Sequence, residues 1–360
     1  MSGSAVITGR QLLQLRLRHK HAVEQEGTAM KQKPDELSGS GLSNLRIARY
    51  RVELEAGADG LLLPRYKGST LRGGFGSVFR RICCAQRQDE CHGCLLQESC
   101  PFAYVFETAP PAGAQALRNL ESVPRPFVFE PPLETKQEYK PGERLSFHLV
   151  LVGKGIKFLP YFILSLDELG RVGIGKGRRP YSLRGINFVG LDGAEKPIFS
   201  ASDRTVRDPG TSFTGAEIMS QTTANAANDR LQINLLTMTR LKHHDRFVTA
   251  LPFHVLLRGL LRRISSLMYF HQEEELDVDF AGLIGRAERV RTLSEDTRWV
   301  DWDRYSGRHD ARITLGGLVG KVTYTGDAAE FRPLLKIGEY VHVGKGAVFG
   351  MGKFRIEGAE

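Results

Sequence analysis

The apolar positions of this chain fall into two successive series, each passing from a strand period to a helix period and back. In the first, Leu45, Ile47, Tyr50, Val52 and Leu54 alternate with polar residues and predict a strand over 44–55. Thr70 to Ile82 read as a helix with Ser69 as its cap. Phe127 to Glu130 and Glu143 to Val152 follow as strands, Phe158 to Leu169 as a helix and Ser182 to Leu191 as a strand. The second series repeats the order: a strand over Leu231 to Leu241, a helix over Pro252 to Phe270, and a hairpin pair over Trp299 to Tyr305 and Arg312 to Thr325. A helix over Ala328 to Val341 and a strand over Phe354 to Glu357 close it.

Each series therefore spells β-α-β-β-α-β, and the expected class is α+β, with tandem ferredoxin-like (RRM-like) modules. The expected division is a loosely ordered extension over 1–43, a first module over 44–195 with a cysteine insertion at 83–107, and a second module over 196–360. Glycine is costly inside a helix, about 1 kcal/mol each relative to alanine, so the Leu-Arg-Gly-Gly-Phe-Gly run from Leu71 implies close packing on that face.

Each second helix is followed by a glycine-rich loop. The later one, over 344–352, contains Gly344, Gly346, Gly350 and Gly352, with Lys345 inside it and Lys353 after it. The earlier one, Gly173-Ile-Gly-Lys-Gly-Arg-Arg-Pro180, carries Lys176, Arg178 and Arg179. Such loops can be plain turns, or they can present backbone N–H groups to an anion. Lysines and arginines at equivalent places favour the anion. Gly170 to Gly177 has the spacing of a P-loop through its lysine, but a glycine stands where Ser or Thr would hold magnesium. The loop also follows a helix, so a phosphate polymer fits better than a nucleotide.

A formal net charge of +9 over 360 residues points the same way, by long-range attraction of polyanions. No apolar run is long enough to span a bilayer and no secretory leader is legible, so a cytoplasmic protein without a membrane partner is expected. The five cysteines all lie between Cys83 and Cys100. Cys84, Cys91, Cys94 and Cys100 have a spacing that can supply a four-thiolate shell, with Cys83 and His92 as lesser alternatives. Structural zinc is the expected occupant, an iron–sulfur cluster is possible on the same donors, and packed free thiols are the alternative.

Among the histidines, His342 stands two residues before Gly344 and is the candidate acid or base for a phosphate held by the loop. His243 and His244 are second candidates, while His254 looks placed for packing. Arg72, Arg262 and Arg263 lie on predicted helices as candidate RNA ligands, with Tyr66 beside the first of those helices. Trp299 to Arg308 mixes rings, arginines and Asp301 and Asp303, and suits either base stacking or core packing.

Together the C-terminal loop, the Trp302-Asp-Arg-Tyr-Ser306 stretch, the Leu260-Leu-Arg-Arg-Ile-Ser-Ser-Leu267 helix and the Cys100-Pro-Phe-Ala-Tyr-Val-Phe-Glu107 segment resemble CRISPR precursor-RNA processing endoribonucleases of the RAMP superfamily. The resemblance spans about residues 45 to 358. It implies binding of the CRISPR repeat RNA and one cut per repeat, with attack of the 2′-hydroxyl on the adjacent phosphate and no cofactor needed for the reaction. Effector-complex subunits and a second copy of the chain are the further partners it suggests. Many members carry a catalytic histidine near the first helix, whereas here none occurs between His21 and His92. The resemblance then leaves His342 as acid or base, Lys345 as electrostatic stabiliser and Tyr66 as an alternative proton-transfer group. It also leaves a non-catalytic RNA-binding subunit as the alternative function.

Overall fold

In the computed structural model the described residues are 37, 40–86, 91–108, 123–221, 230–306 and 311–357; of the extension expected over 1–43, residues 1–36, 38 and 39 lie outside them. All of these residues fall in one unit, Leu37–Glu360.

The first sheet is centred on β1 (Arg46–Ala56). It is followed by α1 (Gly68–Cys83), β2 (Phe127–Glu130), β3 (Arg144–Val152), α2 (Leu159–Val172), β4 (Tyr181–Val189) and β5 (Glu195–Ser200). The strand order β2-β3-β1-β4-β5 is antiparallel throughout, with Val52 opposite both Phe147 and Ile186. Apart from the added β5, this is the order that a β-α-β-β-α-β chain takes when its helices share one face. Leu71, Phe75, Val78 and Phe79 recur at helical spacing and bury that side of α1. The Phe75 ring sits 5.0 Å from those of both Phe129 and Phe162, joining α1, β2 and α2 in one aromatic core. Each such phenyl ring taken out of water contributes about 1.5–3 kcal/mol.

The second sheet uses β6 (Arg230–Thr239), α3 (Phe253–His271), α4 (Phe280–Ala287), β7 (Arg291–Ser306), β8 (Ala311–Thr325), α5 (Arg332–Val341) and β9 (Phe354–Glu357). Its order is β7-β8-β6-β9, the same circuit as the first. The tandem ferredoxin-like expectation is met in both halves. β7 and β8 pair from Arg291–Thr325 out to Ser306–Ala311, but β6 accompanies β8 only from Leu318 onward. The hairpin therefore runs past the sheet as a two-stranded arm. Tyr104 of the first half donates to Nδ1 of buried His271 on α3 at 3.0 Å, while Nε2–H of that ring reaches the Pro124 carbonyl at 2.6 Å.

The structure alters the expected boundaries in three places. Ser69 lies within α1, whose N-cap is Lys67 with no side-chain cap bond. β5 and the Phe213–Thr214 bridge both belong to the first sheet, so that sheet continues past 195. Leu42, expected to be loosely ordered, is fully buried, and its carbonyl crowds Gly215. No helix among the described residues is long and apolar enough to cross a membrane.

Candidate nucleic-acid interface

After α5 the chain turns at His342, whose φ of 62° is paid for by its hydrogen bonds, and enters the later glycine loop. Gly346 and Gly350, at φ 83° and 82°, bracket a single 3-10 turn over Ala347–Phe349. Gly352, at φ 71°, lies so close to the chain that a Cβ there would stand 1.8 Å from the Val343 carbonyl oxygen. Only glycine fits both demands. The amides of Lys345 and Gly352 donate at 3.0 Å to the Arg240 and Met238 carbonyls, and those of Phe349 and Gly350 close the turn. Much of the N–H array expected to face an anion is thus spent inside the protein, fastening the loop to the end of β6.

The loop is also wedged against the first half. A Cβ on Gly68, in the first turn of α1, would lie 1.9 Å from the Phe349 carbonyl oxygen. Tyr66 donates to that same oxygen at 2.9 Å, and its ring meets Trp302 of the β-arm edge-on at 4.7 Å. Burial holds the Tyr66 hydroxyl far above its ordinary pKa, so it stays protonated. The Arg72 guanidinium lies between the Phe106 and Phe349 rings, at 5.2 and 5.4 Å. Lys345 is exposed on the loop. Tyr66, Arg72 and the loop, expected separately from the sequence, are therefore brought together.

Behind the loop lies a charged cluster the sequence reading missed. Glu130, at the end of a strand buried at every position, receives His342 Nε2–H at 2.9 Å on Oε1 and Lys353 Nζ at 3.1 Å on Oε2. Arg49 donates to Oε2 from Nε and Nη2 at 3.1 and 2.9 Å, and His148 Nδ1 lies 3.9 Å away. Burial alone would raise the Glu130 carboxyl, but Lys353, His342 and Arg49 outweigh it and hold it well below the usual carboxylate range. Burial in turn pushes His342 below its usual value despite Glu130. Its two ring nitrogens face two acceptors, Nε2 the Glu130 carboxylate and Nδ1 the Met351 carbonyl at 3.1 Å, and a neutral ring can donate to only one of them. His342 is fully buried between that carboxylate and that carbonyl, a placement suited to clasping the two halves rather than to meeting a phosphate. Lys353 is likewise turned to Glu130. An acid closing an otherwise apolar four-residue strand is the one signal that could have marked this cluster.

The other expected ligands disperse. In the earlier loop Lys176 and Arg178 are exposed, and Arg179 is tied to the Asp59 carbonyl at 2.8 Å. Arg262 is exposed on α3, whereas Arg263 turns inward, its Nε on the Val341 carbonyl at 2.5 Å and burial pushing its pKa down to about 10. Trp302 is buried and Trp299 is 37% exposed, its Nε1 donating to Asp301 at 2.8 Å. The Asp303 side chain lies outside the described residues.

Cys83, Cys84, Cys91, Cys94 and Cys100 are all free thiols. Among the described residues no three His, Cys, Asp or Glu side chains converge as a metal site. Burial pushes the Cys83 thiol up to about 12.

Two ferredoxin-like modules clamped by a glycine loop define the architecture. Residues 233–354 match the model of the CRISPR-associated endoribonuclease Cas6, and residues 45–211 match an N-terminal domain model. A Cas6 product complex superposes with a TM-score of 0.52 at 15% identity, over 87% of this chain and 99% of that one. Cas6 of Thermus thermophilus gives 0.50 at 14%, over 87% and 98%. A partial Cas6-RT-Cas1–Cas2 complex gives 0.53 at 15%, over 88% of this chain and 46% of that one. An uncharacterised protein of Archaeoglobus fulgidus is 25% identical over 308 residues, 82% of this chain and 92% of its own. Residues 233–354 thus carry the match to the CRISPR-associated endoribonuclease Cas6, and the chain shares the Cas6 fold along most of its length.

Proposed function

We propose that this chain binds the repeat of a CRISPR transcript in the cytoplasm and cuts it once per repeat to release crRNA. The 2′-hydroxyl at the cut site loses its proton and attacks the adjacent phosphorus; the bond to the 5′-oxygen breaks, and that oxygen takes a proton. The products are a 2′,3′-cyclic phosphate and a 5′-hydroxyl, with no metal ion in the reaction. An internal nucleophile makes this feasible, because a held neighbouring group replaces a bimolecular attack. The observation that supports the reading is the wedge of the later glycine loop between α1 and β6. It sets exposed Lys345 in the same loop as Phe349, on which Tyr66 and Arg72 converge. A cation there would offset charge developing on the phosphoryl oxygens.

The test is a repeat RNA compared with the same RNA carrying a 2′-deoxy substitution at the cut site, both in EDTA, with products weighed by mass spectrometry. A cyclic phosphate from the first and no product from the second is the expected result. Cleavage of the deoxy substrate would sink the mechanism.

The second reading is a non-catalytic crRNA-binding subunit of an effector complex. His342 already committed to Glu130, together with the empty stretch between His21 and His92, favours it. Tight repeat binding with no cleavage under any condition would select it. Zinc on the cysteine segment is a proposal on donor chemistry alone, and metal content after purification without chelator decides it.

A further inference from the structure

Three histidines of the second half, His243, His244 and His254, gather beside the later glycine loop. Beyond β6 the chain makes a short hairpin, Lys242–His243 paired with Arg246–Phe247. The His243 and His244 ring centroids are 4.0 Å apart, and His254, in the first turn of α3, lies 5.5 Å from His243. The Arg240 guanidinium stacks 4.0 Å over the Phe247 ring, with Lys242 Nζ at 5.6 Å from the same ring. The Arg240 carbonyl accepts the Lys345 amide at 3.0 Å, which makes this hairpin the loop's direct neighbour.

His243 is faced by His244 on its own hairpin, by His254 and Arg258 on α3 and by Glu288 just after α4. Lys242, Asp245 and Arg246 complete the hairpin's charges. Cations and imidazoles outnumber carboxylates here. The His243 imidazole is held below its usual value in the free protein, first by desolvation and then by repulsion from His244, His254 and Arg258. A phosphate among them removes that penalty.

We propose that the 240–247 hairpin, with His254 and Arg258, binds backbone phosphates of the RNA, and that binding there takes up protons. The proposal rests on RNA being the ligand of the neighbouring glycine loop. It makes affinity rise as pH falls through the histidine range, because the complex holds more protons than the free partners.

The probe is a repeat RNA blocked by 2′-deoxy substitution, with binding measured by fluorescence anisotropy at pH 8 and pH 6 and constant ionic strength. The wild-type chain is expected to bind about fivefold tighter at pH 6, the effect of one histidine raised by about one unit through this range. The combined variant H243N/H244N/H254N is expected to show equal affinity at both pH values. An undiminished pH dependence in that variant overturns the site. Calorimetry of the wild type in two buffers of different ionisation enthalpy gives an independent reading: protons taken up on binding support the proposal, and none refute it. Failure of the wild type to bind the RNA at either pH would instead remove the endoribonuclease reading, and this site with it.

Discussion

Glu130 and His342 stand 2.9 Å apart with the two halves of the molecule on either side, and with Lys353 and Arg49 they form its principal buried charge contact. A lone carboxylate at a site with almost no exposure would be expelled by its desolvation cost. Three donors make it tolerable.

Replacing Glu130 by Gln should therefore cost about 3–5 kcal/mol, because it strands Lys353 and Arg49 without their counter-charge. Urea unfolding would measure it, with a lowered midpoint expected. A loss under about 1 kcal/mol would mean that water or rearrangement replaces the clasp.

Gly352→Ala should be among the most damaging single-methyl changes in the chain. The new carbon would have to adopt a φ of 71° and displace the Val343 carbonyl. A loss above about 2 kcal/mol is expected in thermal unfolding, together with weakened RNA binding. Gly73→Ala, where a Cβ meets nothing within 4 Å, is the matched control.

Tyr66→Phe separates support of the loop from chemistry. The hydroxyl donates to Phe349, so its removal should cost about 1 kcal/mol and leave cleavage within a few-fold. A drop of about a hundredfold in single-turnover cleavage, with binding intact, would place that hydroxyl on the reacting atoms instead.

His271 predicts a pH dependence of stability. Burial lowers its pKa from an ordinary 6.5 to about 4. Between those values the unfolded chain takes up the proton and the folded chain does not. Stability is thus full above about pH 6.5 and falls as pH drops toward 4, by about 3 kcal/mol from this group. His148, lowered to about 4 chiefly by burial, adds a smaller loss in the same window because it is partly exposed. His271→Gln should flatten that arm of a stability-versus-pH curve; an unchanged arm would reassign it to other groups.

The strands that alternate, such as β1 and β6, were legible because each sheet has one face on helices and one on water or a partner. Short elements without a periodic run were not: β5 begins Glu-Lys-Pro, and α4 spans only Phe280–Ala287. The glycine loop was found through its composition, but its orientation was not, because Arg240, Tyr66 and Glu130 lie far from it in sequence. His342 shows the limit most clearly. Its neighbours along the chain suggest a phosphate, and its neighbours in space are a carboxylate and a carbonyl.

The Glu130 clasp also has a schedule. Its carboxylate is synthesised 212 residues before His342 and 223 before Lys353. On the ribosome the first module must keep that acid wet or protonated until the second arrives, so β2 should stay open to hydrogen exchange in a nascent first half. A clasp completed only by the last strands cannot hold the two halves together while the chain is still being translated.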